Sequence, residues 1–149
     1  MKNDSIILER KGKVAIVTIN RPQKRNAFDE GLFLQLKSIT SEITSSLPRA
    51  VIITGAGDKS FSAGFDVHPE NPMVKRIIDA AAAHDLEPAQ SLINAIRESV
   101  DAFVSLPVPL IAAINGLAYG GGAELATRCD MRVMDPDAVI CFSETKLGL

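Results

Sequence analysis

Residues 109–133 read PLIAAINGLAYGGGAELATRCDMRV and contain, in order, a short apolar strand, a loop with three consecutive glycines, a helix and a further apolar run. Glycine loses more backbone entropy on folding than any other residue. A run of three therefore indicates a backbone conformation or a close approach that a side chain would prevent. The order of strand, loop and helix, which recurs along the chain, predicts an α/β fold with stacked βα turns.

The segments upstream fit the same architecture. Residues 6–9 and 14–19 predict a hairpin with Gly12 in its turn. Apolar residues then recur every three or four positions after Asp29, a plausible N-cap, and predict an amphipathic helix that stops before Pro48. They are Leu32, Leu36, Ile39, Ile43 and Leu47. The short β-branched run AVIITG, residues 50–55, is typical of a strand buried on both faces.

Two further helices and two loops complete the predicted chain. A helix is expected over residues 73–83, and a second over residues 86–106, with one apolar face. That face consists of Leu92, Ile93, Ile96, Val100 and Phe103. Two segments, GAGDKSFSAGFD and NGLAYGGG, are predicted as loops. A helix over AELATRCD is expected after the second loop. Two short apolar runs, MRVM and AVICF, follow that helix.

Composition and charge restrict the classes of function. The 149 residues are 46% hydrophobic and 23% charged, as in one soluble globular domain. The formal net charge is −2 and no Lys/Arg-rich run is present, which argues against nucleic-acid and anionic-membrane partners. The polar N-terminus and the interrupted apolar stretches predict neither a signal peptide nor a spanning helix, and favour a cytoplasmic protein.

The cysteines and histidines do not predict a metal site or a nucleophile. Cys129 and Cys141 lack CxxC spacing and are expected to be reduced core thiols. His68 and His84 lie outside the glycine loops, and no serine has a histidine at nucleophile spacing. We therefore expect no bound metal.

The glycine loops do not match the known phosphate-binding motifs. A dinucleotide fingerprint would need a third glycine where Ser60 stands, and no Lys-Ser or Lys-Thr follows either cluster as a P-loop requires. Two amides, one from SFSAGFD and one from AYGGGAE, can instead converge on one carbonyl oxygen and stabilise negative charge there. The alternative is that these glycines serve only packing, with Glu124 complementing the helix dipole.

Four segments together resemble the crotonase, or enoyl-CoA hydratase/isomerase, superfamily. They are VAIVTINRPQKRNAF (14–28), VIITGAGDKSFSAGFDV (51–67), PLIAAINGLAYGGGAELATRCDMRV (109–133) and FSETKLGL (142–149). The resemblance implies a core of ββα spiral turns over residues 1–149 and a substrate held as a coenzyme A thioester, without a separate cofactor. It also implies that this chain is an N-terminal core lacking the usual C-terminal helical region, and that the full-length protein forms trimers or hexamers.

The resemblance assigns the candidate catalytic groups. By motif position, the oxyanion hole consists of the backbone amides of Phe65 and Gly121. Glu124, two residues after the triple glycine, is expected to orient and deprotonate water, and Glu144 to donate a proton at Cα. Such chemistry suits two carboxyl groups in one site, since their proximity itself raises the pKa of one of them.

The remaining candidates concern substrate binding. Asn26 and Ala27 match a family segment near the pantetheine, and Arg25 could reach a phosphate or could simply be solvated. The glycine loops add Ala63, Gly64, Asp66 and Gly120, with Asp66 expected to be an N-cap rather than a catalyst. These residues favour hydration of a 2-enoyl-CoA as the predicted function. An isomerase, another acyl-CoA lyase or hydrolase of the superfamily, and a non-catalytic acyl-CoA-binding core remain alternatives.

Overall fold

A computed structural model describes residues 4–143 of the chain. Its strands are β1 (Ile6–Lys11), β2 (Val14–Ile19), β3 (Ala50–Gly55), β4 (Ser60–Ser62), β5 (Leu110–Ile114), β6 (Leu117–Tyr119), β7 (Met131–Met134) and β8 (Val139–Cys141). Its α-helices are α1 (Glu30–Ser45), α2 (Pro72–Ala82), α3 (Glu87–Val104) and α4 (Gly121–Arg128), and a 3-10 turn covers Pro22–Lys24. The α/β prediction is confirmed.

The larger sheet has the order β1-β2-β3-β5-β7. The β1–β2 pair is antiparallel and turns at Gly12, whose φ of +60° suits glycine, so the predicted hairpin is confirmed. All other neighbours are parallel, as crossover connections through helices require.

One face of this sheet forms the core with helices α1 and α3. Alternate residues of β3, Val51 and Ile53, are fully buried in one cluster with Leu36 of α1 and Phe103 of α3. The intervening residues of β3 are only half-buried. The prediction that β3 is buried on both faces was therefore wrong, because the helices pack densely against one face.

Helix α1 begins where the sequence predicts. The side chain of Asp29 accepts a hydrogen bond of 2.9 Å from the backbone N–H of Leu32, which satisfies one of the unpaired donors at the start of the helix. The helix ends at Ser45, so Leu47 lies beyond it and is exposed rather than part of the apolar face. The expected helices near residues 73–83 and 86–106 are confirmed as α2 and α3.

A second sheet, of order β4-β6-β8, was not expected from the sequence. Strands β4 and β6 are three residues each and fall inside the two segments predicted as loops. Helix α4 also begins earlier than predicted, at Gly121. The two glycine loops therefore follow directly from paired parallel strands, which places them side by side. Among residues 4–143, no helix has both the length and the apolar character needed to cross a membrane.

Candidate active site

The glycines allow the two loops to touch through their backbones. Gly64 has φ of +84°, and a Cβ atom on it would lie 2.7 Å from the carbonyl oxygen of Tyr119 and 2.9 Å from the amide nitrogen of Gly121. Gly120 has φ of +50° and precedes the first residue of α4. A side chain at Gly64 would force the loops apart, and one at Gly120 would be strained at its positive φ.

Gly122 serves the same contact from inside the helix. A Cβ atom there would lie 2.4 Å from the carbonyl oxygen of Ser62, closer than atoms can approach. Close packing of the two loops therefore accounts for glycine at this position. The same contact brings the backbone amides of Phe65 and Gly121 next to each other.

The N–H groups of Phe65 and Gly121 have no hydrogen-bond acceptor among residues 4–143. The amides on both sides of Phe65, by contrast, do donate hydrogen bonds. Gly64 N–H donates to the Ser62 hydroxyl at 3.1 Å, and Asp66 N–H donates to the carbonyl of Phe28 at 2.9 Å. The Gly121 amide belongs to the first turn of α4, where the helix dipole favours negative charge.

Phe65 and Gly121 both line a cavity of about 200 Å³. Its lining includes Gly121 and Glu124 on α4, apolar side chains from α3, and three phenylalanines. Phe33 packs against both others, with ring centroids 5.7 Å from Phe28 and 5.7 Å from Phe65. The structure thus brings three of the sequence-predicted catalytic residues, Phe65, Gly121 and Glu124, to one concave and mostly apolar site.

Glu124 is the carboxylate that lines this cavity. Its side chain is 58% exposed, and one oxygen, Oε1, lies 3.7 Å from Nη1 of Arg128, one turn further along α4. Nη2 of Arg128 forms an ion pair with Asp101 of α3. Arg97 of α3 is the second arginine on the cavity wall. Sequence analysis missed both arginines. Arg97 lies on α3, a stretch that carries no motif, and Arg128 of α4 is paired with Asp101 only in the folded chain.

The second predicted glutamate, Glu144, lies outside the described residues. Its proposed role therefore stays a prediction. The described chain reaches Ser143, two residues past the end of β8.

Asn26 holds the loop behind the site together. Its side chain is completely buried. Its Oδ1 accepts a hydrogen bond from Arg21 N–H at 3.0 Å, and its Nδ2 donates to the carbonyls of Ala56 and Ser60 at 3.0 and 2.8 Å. A left-handed φ of +56° accompanies this arrangement. The side chain of Asn26 is thereby occupied by backbone groups.

The other predicted binding residues surround this loop. The carbonyl of Arg25 accepts a 2.9 Å hydrogen bond from Ala63 N–H, while the Arg25 side chain is exposed and does not line the cavity. Ala27 is buried. Asp66 does not cap a helix, contrary to prediction: helix α2 starts six residues later, where the Asn71 side chain accepts from Met73 N–H.

Arg21 connects the loops and was not identified from the sequence. Its Nη2 lies 2.9 Å from Asp29 and 3.4 Å from Asp66, and its Nη1 donates to the carbonyl of Ala27. A largely buried cation needs such partners. Arg21 lies two residues after the end of β2. Its partner Asp66 is 45 residues further along the chain, so the sequence alone does not indicate this pairing.

The cysteines are only partly as expected. Cys129 is buried and Cys141 is half-buried, so the core assignment holds for the first alone. Burial raises the pKa of the Cys129 thiol to about 12, an effect that Arg132 partly offsets. Cys129 is therefore an uncharged packing residue at neutral pH.

The enoyl-CoA hydratase/isomerase family model matches residues 9–149 of this chain. The YngF protein of Bacillus subtilis is 41% identical over 98% of the chain, and the short-chain-enoyl-CoA hydratase of Clostridium acetobutylicum is 37% identical over 100% of it. The crystal structure of an enoyl-CoA hydratase from Bacillus anthracis superposes with a TM-score of 0.79, at 32% identity over 97% of the chain. In each case the match covers 53% of the relative, so the chain spans about half the length of these proteins.

Proposed function

Because the chain belongs to the enoyl-CoA hydratase/isomerase family, we propose that it hydrates a 2-enoyl-CoA thioester to a 3-hydroxyacyl-CoA. The observation that supports the proposal is that Glu124 lines one cavity with Phe65 and Gly121, whose N–H groups have no acceptor among residues 4–143.

The thioester carbonyl oxygen is proposed to accept hydrogen bonds from Phe65 N–H and Gly121 N–H. Attack of water at Cβ moves the double-bond electrons toward that oxygen, which becomes enolate-like in the transition state. Donors fixed by packed backbone, as Gly64 and Gly122 fix them here, stabilise the developing charge without having to reorganise.

Glu124 is proposed to take the proton from the attacking water as the C–O bond forms. The enolate then collapses, and a proton is delivered to Cα, for which we propose Glu144. Phe28, Phe33 and Phe65 give the cavity an apolar lining, and we propose that this lining strengthens the electrostatic interactions inside it by limiting the access of water. We propose that the nucleotide of coenzyme A lies outside this cavity and that Arg25, exposed on the neighbouring loop, contacts a phosphate.

Other properties are proposed from the family alone. We propose a cytoplasmic protein that acts on acyl-CoA without nucleic-acid or membrane partners and without a further cofactor or metal. The full-length protein is proposed to assemble as a homotrimer or hexamer.

The test is loss of the enoyl-thioester absorbance after mixing crotonyl-CoA with the wild-type chain and with Glu124→Gln. Removing a general base is expected to lower the rate on the order of 10²-fold or more, with acyl-CoA binding retained. Glu98→Gln, an exposed glutamate on α3 outside the cavity, is the matched control and should keep the wild-type rate. Glu144→Gln is expected to behave as Glu124→Gln does.

Three results would contradict the proposal. A rate unaffected by Glu124→Gln would remove that residue from the mechanism. Binding without turnover by the folded chain would favour a non-catalytic acyl-CoA-binding core. Conversion of a 3-enoyl-CoA to its 2-enoyl isomer, with no hydrated product, would assign an isomerase.

A further inference from the structure

Arg21 connects the two segments that meet beside Phe65. Its side chain is only 13% exposed, and its guanidinium has three partners. Nη2 lies 2.9 Å from Asp29 and 3.4 Å from Asp66, while Nη1 donates to the carbonyl of Ala27. Two of these partners directly precede α1, and the third directly follows Phe65. One largely buried cation therefore joins the start of α1 to the loop that carries the Phe65 amide.

A backbone bridge between Phe28 and Phe65 sets the direction of that amide. Phe28 N–H donates to the carbonyl of Gly64 at 2.7 Å, and Asp66 N–H donates to the carbonyl of Phe28 at 2.9 Å. These two bonds form a parallel bridge. Successive N–H groups of an extended chain point to opposite sides. Because the Asp66 N–H points towards Phe28, the Phe65 N–H points away from it, and it has no acceptor among residues 4–143.

Arg21 holds this bridge from both segments. Ala27 comes directly before Phe28, and Asp66 comes directly after Phe65. The guanidinium contacts both of these neighbours. The bridge lies outside the strands of the two sheets, so it is not held in place by a continuing ladder of hydrogen bonds.

The other polar contacts between the two segments lie before Phe65. Ala63 N–H donates to the carbonyl of Arg25 at 2.9 Å, and the Ser62 hydroxyl donates to the carbonyl of Asn26 at 2.8 Å. In the part of the chain that the structure describes, the hydrogen bonds and ion pairs that join the segments after Phe65 all involve the next residue. Arg21 is therefore the side chain that holds the loop on that side.

The charges around Arg21 make its loss costly for this loop. Asp29 and Asp66 approach the same nitrogen, Nη2, so the two carboxylates would repel each other without a cation between them. The N–H groups of a guanidinium also have fixed directions, which a lysine ammonium lacks. Removing Arg21 should therefore release Asp66, and with it the preceding Phe65 amide.

We propose that Arg21 is a positioning residue for the candidate oxyanion hole, because it fixes the Phe65 N–H from outside the cavity. This inference rests on the proposed function for the role of that amide. Arg21 does not line the cavity, so its effect passes through the bridge. Donors that stabilise a developing oxyanion have to be held in place before the reaction, and a displacement of about 1 Å lowers the rate about 10²-fold.

The first test measures the motion of the Phe65 amide by nitrogen-15 NMR relaxation, in the 149-residue chain without a ligand. In the wild type we expect an order parameter of about 0.85, typical of rigid backbone, at both Phe65 and Gly121. In Arg21→Met the value at Phe65 should fall below about 0.6, while that at Gly121 stays high. Arg10→Met is the matched control, because Arg10 also joins two elements, β1 and the end of α1, by donating to backbone carbonyls outside the cavity. It should leave both values unchanged.

The second test measures the hydration of crotonyl-CoA. Arg21→Met should lower kcat about 10-fold to 100-fold and change KM less than about threefold, since oxyanion contacts act mainly in the transition state. Arg21→Lys should recover part of kcat, because it keeps a cation between the two carboxylates but not the fork. Arg10→Met should keep the wild-type kcat.

A milder variant covers the case in which Arg21→Met does not fold. Asp66→Asn keeps the shape of the side chain but removes the charge that pairs with Arg21. It should lower kcat and the order parameter at Phe65 in the same direction as Arg21→Met, by smaller amounts. Circular dichroism checks that each variant is folded.

Three results would overturn the inference. They are an unchanged order parameter at Phe65 in the folded variant, equal losses in Arg21→Met and Arg10→Met, and a mobile Phe65 amide with an unchanged kcat. If Arg21→Met unfolds, Asp66→Asn decides between the same outcomes. The proposed function fails separately: absence of hydration by the wild type, with the Phe65 amide still dependent on Arg21, removes the reaction and keeps Arg21 as the residue that fixes this amide.

Discussion

Glu124 and Arg128 lie one turn apart on α4, with Oε1 3.7 Å from Nη1, and the same guanidinium pairs with Asp101 of α3. The carboxylate in the cavity is thus linked through Arg128 to the neighbouring helix. An arginine fork can hold two carboxylates at once because its N–H groups have fixed directions. The orientation of Glu124 therefore depends on how α3 and α4 meet.

Arg128→Met is expected to lower kcat for the proposed hydration about 10-fold to 100-fold with little change in KM, because misplacing a reacting group by about an ångström has an effect of that size. Arg128→Lys should restore part of the rate, since it keeps the charge but not the fork. Arg76→Met, which removes the exposed ion pair to Glu30, is the control and should have little effect. Equal kcat values for wild type and Arg128→Met would exclude a positioning role.

Asn26→Ala is expected to destabilise the chain by about 3 kcal/mol, because it leaves the buried carbonyl of Ser60 and the half-buried backbone groups of Arg21 and Ala56 without their partners. Urea unfolding followed by circular dichroism measures the change. Asn94→Ala, which removes an exposed contact with Gln90 on α3, should alter stability by less than about 0.5 kcal/mol. A similarly small effect of Asn26→Ala would show that water replaces the lost amide.

The larger elements could be predicted because each has a local cause in the sequence. Helix α1 has both an N-cap at Asp29 and an apolar residue at every turn, and the β1–β2 hairpin has glycine in its turn. Strands β4 and β6 could not be predicted, because three residues carry no usable periodicity and their pairing joins Ser60 to Leu117, far apart along the chain.

The site was predicted unevenly for the same reason. Phe65, Gly121 and Glu124 belong to compact motifs, and the structure places all three at one cavity. The role of Arg128 could not be predicted, because its partner Asp101 lies on α3 and comes beside it only in the folded chain. The α2 segment predicts only a helix, because nothing in its local sequence indicates that α3 leaves part of that helix uncovered.

Gly122→Ala is expected to disrupt the contact between the two glycine loops, since its Cβ would meet the Ser62 carbonyl oxygen at 2.4 Å. Overpacking of this kind destabilises by about 1–3 kcal/mol, and the shift of α4 should also weaken acyl-CoA binding. Gly31→Ala in α1, where the nearest atom would lie at 3.5 Å, should be neutral or stabilising by up to about 1 kcal/mol. Thermal unfolding of both variants separates the effect of the steric contact at Gly122 from the effect of replacing glycine by alanine in a helix. A wild-type Tm for Gly122→Ala would mean that the loops separate without penalty.

Cys129 and Cys141 are expected to differ in reactivity towards a thiol-disulfide reagent at pH 8. Burial raises the pKa of Cys129 to about 12, so almost none of it is thiolate, the form that reacts. Cys141 is half-buried and its backbone carbonyl, not its thiol, binds Gly120 N–H. One thiol should therefore react in the folded chain and two in denaturant, and Cys141→Ser should abolish the reaction of the folded chain.

The raised pKa of Cys129 makes the free energy of unfolding depend on pH. Cys129 loses its proton near pH 9.0 in the unfolded chain but only near pH 12 in the folded chain. Its contribution to stability is therefore complete below pH 9 and decreases as the pH rises from 9 to 12. Unfolding free energies of wild type and Cys129→Ala, measured from pH 8 to pH 10.5, should converge as pH increases. A constant difference between them, or rapid labelling of two thiols in the folded chain, would show that Cys129 ionises in place and is not the uncharged packing residue that its burial indicates.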